Sequence, residues 1–127
     1  MAMIVTAWNN GDHNRSGAGY GLRIKASDRD QYFKPEWTSI FIEIEGEPQL
    51  VEININKSSF WNQTCRELIN SSIGKWLQAH ELAPWPKGHP PTLLLEPVAG
   101  NRFKVTKFHA QSIKQFFQED YDEYLGR

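Results

Sequence analysis

Cysteine is almost missing. Cys65 stands alone among 127 residues, which excludes an internal disulfide framework and fits a reducing compartment. With no assisting base to be found for it, Cys65 reads as a small buried or half-buried side chain. Long apolar runs are missing too: none approaches the length of a bilayer, and no signal peptide is read. The expectation is a soluble, cytoplasmic domain, in which the glycosylation-type matches at Asn14, Asn56, Asn62 and Asn70 are chance. Excess charge of one sign is absent as well. Fourteen Lys and Arg face fifteen Asp and Glu, a balance that argues against indiscriminate binding of polyanions.

Catalytic and metal-binding patterns are equally scarce. His13, His80, His89 and His109 share no element with another ligand at metal spacing, so no metal or cofactor is assigned. His13 lies beside Asp12 and Arg15, yet a general base needs an orienting partner and a pocket, and the sequence displays neither. No catalytic residue is assigned, and a non-enzymatic module is expected. Gly17, Gly19 and Gly21 imitate part of a phosphate-cradling loop. Such a loop must open a helix, whereas this one opens a strand, so the glycines read as bends and places of close backbone approach.

Aromatic and β-branched residues are plentiful. Five Trp, seven Phe and 39% hydrophobic content exclude disorder and suit one domain over residues 1–127. Strands are expected at Met3–Trp8 and Tyr20–Lys25, the second with Tyr20, Leu22 and Ile24 on one face. Ser27 is read as the N-cap of a short helix that must end before Pro35. Ile40, Ile42 and Ile44, then Val51, Ile53 and Ile55, alternate with polar residues as half-buried antiparallel strands do. The polar faces of this pair are acidic and suit phosphate poorly. Thr64-x-x-Glu67 resembles a capping box, opening a helix with Leu68, Ile69, Ile73, Trp76 and Leu77 as its apolar stripe. Ser71, Ser72 and Gly74 weaken its centre. The run Pro84-Trp85-Pro86-Lys87-Gly88-His89-Pro90-Pro91 ends it. Strands at Thr92–Glu96 and Arg102–Thr106 follow, completing a barrel-like core over 1–107. An amphipathic helix over 108–127 carries Ile113, Phe116, Phe117, Tyr121 and Tyr124.

The fold class read from this pattern is α+β: a mostly antiparallel, partly closed sheet with two or three helices. Two polar loops stand out. The first holds Asn9, Asn10, His13, Asn14, Arg15 and Ser16, with Arg23 and Lys25 on the following strand. The second holds Lys57, Ser58, Ser59, Asn62 and Gln63. These side-chain types suit base edges and phosphate oxygens.

Leu22-Arg23-Ile24-Lys25, then Gln31-Tyr32-Phe33-Lys34-Pro35, the run Ile53 to Trp61, and Ile73-Gly74-Lys75-Trp76-Leu77 up to Glu81-Leu82 carry a resemblance. The chain resembles the DNA-binding pseudobarrel of plant auxin-response and abscisic-acid-response transcription factors, which also serves as a restriction-endonuclease recognition domain. That resemblance implies two arms gripping the major groove, falling here on Asn9–Ser16 and Lys57–Gln63. The leading expectation is therefore a non-enzymatic module binding duplex DNA. Arg15, Arg23 and Lys57 would hold phosphates or guanine edges, while Asn9, Asn10 and Asn14 would read bases. The alternative is a protein- or small-ligand-binding adaptor, or a homodimer, working through the Trp85 segment and the C-terminal helix.

Overall fold

The computed structural model describes residues 2–62 and 66–108. Seven strands form one sheet in the order β4-β3-β7-β6-β1-β2-β5. They are β1 (Met3–Asn9), β2 (Tyr20–Arg23), β3 (Ser39–Ile44), β4 (Leu50–Asn54), β5 (Glu67–Ile69), β6 (Thr92–Ala99) and β7 (Arg102–Lys107). Among the described residues there are three helices: α1 (Ala26–Tyr32), α2 (Ser58–Trp61) and α3 (Ser71–Ala79). The α+β class, the mostly antiparallel character and the partial closure all match the reading of the sequence.

Alternation dictates which face is buried. Met3, Val5 and Ala7 of β1, Tyr20 and Leu22 of β2 with Ile24 just beyond, and Ile40, Ile42 and Ile44 of β3 all point inward. Leu93 and Leu95 of β6 and Phe103 and Val105 of β7 join them in one apolar cluster. The helices cover it from the same side. Phe33, at the exit of α1, stacks on Phe103 at 4.7 Å between ring centroids and meets Phe60 of α2 edge-on at 5.8 Å.

All pairings in the sheet are antiparallel except β3 with β7, where Ile42 faces Phe103 and Ile44 faces Val105. β4 and β5 are left as its two edges. They approach one another across a cleft lined by Leu50, Val51 and Glu52 on one side and Asn70 and Ser72 on the other.

Three local readings need correction. Ser27 is not the cap of α1. Lys25 occupies that position in extended geometry, with no side-chain capping bond, and its carbonyl accepts the first helical bond, from the Arg29 amide. β2 correspondingly stops at Arg23 rather than Lys25. The second polar loop contains a helical turn, α2, because Phe60 must be carried inward to the core, where it is fully buried.

The largest correction concerns the helix read from Thr64. Leu68 and Ile69 belong to β5, which bonds to β2 on both sides: the Ile24 amide donates to the Arg66 carbonyl and the Asn70 amide to the Tyr20 carbonyl. Helix begins only at Ser71, where Asn70 Oδ1 accepts the Ser72 amide at 2.8 Å. Ile73, Trp76 and Leu77 keep the expected buried stripe. Glu67 closes no capping box; its buried carboxylate instead accepts from Arg23 Nε at 3.0 Å. Cross-strand pairing outweighed local helix preference here. Thr64, Cys65, His109 and the expected C-terminal helix lie outside the described residues.

Candidate functional site

The loop between β1 and β2 is built largely by its own asparagines. Asn9 Nδ2 donates to the carbonyls of Asp12 (3.0 Å) and Gly19 (3.4 Å), and its Oδ1 accepts the Gly11 amide at 2.8 Å. Asn10 Oδ1 accepts the Asp12 amide at 3.1 Å. Asn14 Nδ2 reaches the carbonyls of Ala18 (3.4 Å) and Asp12 (3.5 Å), and Ser16 Oγ accepts the Ala18 amide at 3.4 Å. These are short side-chain-to-backbone turns of the kind Asn and Ser favour. The side-chain N–H groups of Asn9 and Asn14 and the side-chain oxygen of Asn10, which the sequence offered for base edges, are engaged in shaping the loop.

The loop is also seated on its neighbours. Gly17, at φ +83°, crosses α3 so closely that a Cβ there would lie 2.2 Å from the Ser71 carbonyl oxygen. A Cβ on the facing Gly74 would lie 2.3 Å from the Gly17 carbonyl oxygen. Gln78 Nε2 donates to the Asn14 carbonyl at 2.6 Å. His13 meets Tyr20 and Trp85 nearly edge-on, at 5.3 and 5.1 Å between ring centroids. Its Nδ1 lies 2.5 Å from the Tyr20 hydroxyl. Tyr20 is fully buried, so His13 is pinned between the core and the proline-rich segment. This orients the ring. The aromatic setting supplies no carboxylate to it.

The loop and the adjoining surface of α3 together carry two exposed cations against one exposed acid. Arg15 and, across the Gly17 crossing, Lys75 are exposed. Among the described residues the only ion pairs are Arg23–Glu67, Arg29–Asp30 and Arg102–Glu43, so both cations are unpaired. Asp12 is the loop's only acid.

The second loop is elsewhere. β1 runs antiparallel to β6, β6 antiparallel to β7, β7 parallel to β3, and β3 antiparallel to β4. The ends of β1 and β4 therefore lie at opposite ends of the sheet, and so do the loops they lead into. Residues 57–62 pack on α1, not on the β1–β2 loop. Buried Arg29 holds them, donating to the carbonyls of Phe60 (2.9 Å) and Asn62 (2.6 Å). Trp61 Nε1 donates to the Ile55 carbonyl at 3.0 Å. Lys57, Ser58 and Asn62 are exposed and Ser59 half-buried. Arg23 and Lys25 lie toward this end, Arg23 held by Glu67. Gln63 lies outside the described residues. The structure thus gathers Asn9, Asn10, His13, Asn14, Arg15 and Ser16 on one loop and separates them from the rest.

Sequence reasoning missed Lys75, Gly74, Gln78 and Arg29. Arg29 stands between two acids in a short polar helix, where nothing local marks it for burial. Gly74 looked only like a weak point in a helix, and nothing local marks a glycine that is needed by a loop far away in the chain. Among the described residues no group of His, Cys, Asp and Glu could hold a metal ion, and no helix is long and apolar enough to cross a membrane. Comparison with family models, with curated proteins and with solved structures finds no match to the chain.

Proposed function

We propose that this chain is a non-enzymatic binding module that engages duplex DNA through the β1–β2 loop and the adjoining surface of α3. The observation that carries the reading is the pre-organised loop with two unpaired cations, Arg15 and Lys75, flanking its seat on α3. A loop already ordered by its own hydrogen bonds and by Gln78 loses little conformational entropy on binding. With Asn9 and Asn14 bonded to the loop's own backbone, phosphate contacts more than base reading would supply the affinity. The 57–62 loop, at the opposite end of the sheet, would not share the same stretch of duplex backbone.

Two phosphate contacts set the scale of the test. Each releases counterions, and log K falls by about 0.9 per contact per decade of salt, so raising salt from 50 to 200 mM should weaken binding roughly twelvefold. Fluorescence anisotropy with a randomised short duplex measures this directly. Replacing both Arg15 and Lys75 by Ala should flatten the salt dependence. Absence of binding at low salt would sink the proposal. A second reading, a protein- or small-ligand adaptor, is favoured by half-buried Trp85, which meets exposed His13 edge-on at the surface; its binding would be nearly indifferent to salt and sensitive to Trp85→Ala.

A further inference from the structure

The β4 edge of the sheet, where Glu52 is the exposed polar side chain and Glu47 lies in the turn before it, has a hydrogen-bonding geometry of its own. β4 is an edge strand, and its hydrogen-bond parity is set by the Ile55 amide, which donates to the Thr38 carbonyl of the β3 side. In an antiparallel pair the groups alternate. Val51 and Ile53 therefore turn their backbone groups toward β3, while Leu50 and Glu52 turn their N–H and C=O away from it, to the open edge. Beside that edge lies a cleft of about 400 Å³, with Ile44 and Val51 at its apolar side and Glu47, Glu52 and Asn70 around it. Leu50 is 42% exposed. Glu47 and Glu52 are exposed, and neither has an ion-pair partner among the described residues.

We infer that the β4 edge binds an extended basic peptide by strand addition, the peptide lying in the cleft between β4 and the start of α3. Unpaired main-chain groups on a sheet edge are a template for another strand. Alternation then assigns the peptide's side chains. Residues opposite Val51 turn inward to the apolar side of the cleft, and residues opposite Leu50 and Glu52 turn outward, where Glu47 and Glu52 select Lys or Arg. Charge also argues against a second copy of this chain as the occupant. Antiparallel pairing of β4 with itself about Glu52 places carboxylate opposite carboxylate, which is destabilising. The site adjoins the seat of the β1–β2 loop at the start of α3 but uses other groups, the outward backbone of β4 and the carboxylates of Glu47 and Glu52.

The test is anisotropy with fluorescein-labelled Lys-Val-Lys-Val-Lys, with Glu-Val-Glu-Val-Glu as the comparison peptide. The basic peptide should bind about tenfold more tightly, the scale of two exposed ion pairs. Glu47→Gln with Glu52→Gln should remove that preference. Glu52→Pro removes an outward N–H without touching the β3 ladder, so it should abolish binding with the melting temperature retained. If Glu52→Pro fails to fold, the double Gln variant decides alone. Arg15→Ala should leave peptide binding unchanged, so failure here and failure of the DNA reading are separable. Equal binding of the two peptides, no binding, or full binding by folded Glu52→Pro overturns the inference. So does a concentration-dependent dimer that Glu52→Pro abolishes, which would assign the edge to a second copy.

Discussion

Gly74→Ala separates local helix propensity from the tertiary contact that the β1–β2 loop makes. Gly74 sits inside α3, where exchanging Gly for Ala ordinarily stabilises a helix by about 1 kcal/mol. Here the added methyl would stand 2.3, 2.6 and 2.8 Å from the carbonyl oxygen, Cα and carbonyl carbon of Gly17. Ordinary carbon contacts lie at about 3.5–4.0 Å, so the loop must retreat by roughly 1 Å. These are backbone atoms, unable to swing aside as a side-chain tip would. Retreat strains the Gln78–Asn14 bond and the seat of His13 between Tyr20 and Trp85. Overpacking of this kind costs about 1–3 kcal/mol, and the lost loop contacts add to it. The net expectation is a loss of about 2 kcal/mol, or about 8 °C in melting temperature for a chain of this size. Urea titration followed by tryptophan fluorescence measures it, with an unchanged slope showing that the unfolding reaction is the same. Equal or greater stability would refute the reasoning, because that is what propensity alone predicts.

Two further substitutions test the groups buried at the other end of the sheet. Arg29→Met leaves the carbonyls of Phe60 and Asn62 without their donor and should cost about 3 kcal/mol in urea unfolding; a change under about 0.5 kcal/mol, the scale of a surface site, would show that the 57–62 loop does not depend on it. Arg23→Ala leaves the buried Glu67 carboxylate unpaired and should cost about 1–2 kcal/mol, moderated because Arg23 is half exposed. Adding Glu67→Leu should recover most of that loss; if the double variant is no more stable than Arg23→Ala, desolvation of Glu67 is not the cause.

Side-chain patterning alone determined which residues face inward. The alternation through Tyr20, Leu22 and Ile24 and through Ile40, Ile42 and Ile44 reports burial one residue at a time, and burial of apolar surface is nearly independent of which strand lies next door. For the same reason alternation is silent on partners. That β7 lies parallel to β3, and that β4 and β5 become the open edges, are decided by pairing between segments distant in the chain. Residues 67–69 show the limit most plainly. Leu68 and Ile69 fit a helical stripe as well as a strand, and hydrogen bonds to β2 settle the matter.

The candidate site divides the same way. A loop rich in Asn and Gly was legible as a place where the chain does something other than turn. Whether its amides reach outward or bind their own backbone depends on distances of a few ångströms that composition does not carry. The placement of the two polar loops at opposite ends of the sheet follows from strand direction, a property of the assembled sheet. Residue chemistry is local and is written in the sequence. Hydrogen-bond partners, close crossings such as Gly17 on Gly74, and which charges are left unpaired are properties of pairs, and only the folded chain brings the pairs together.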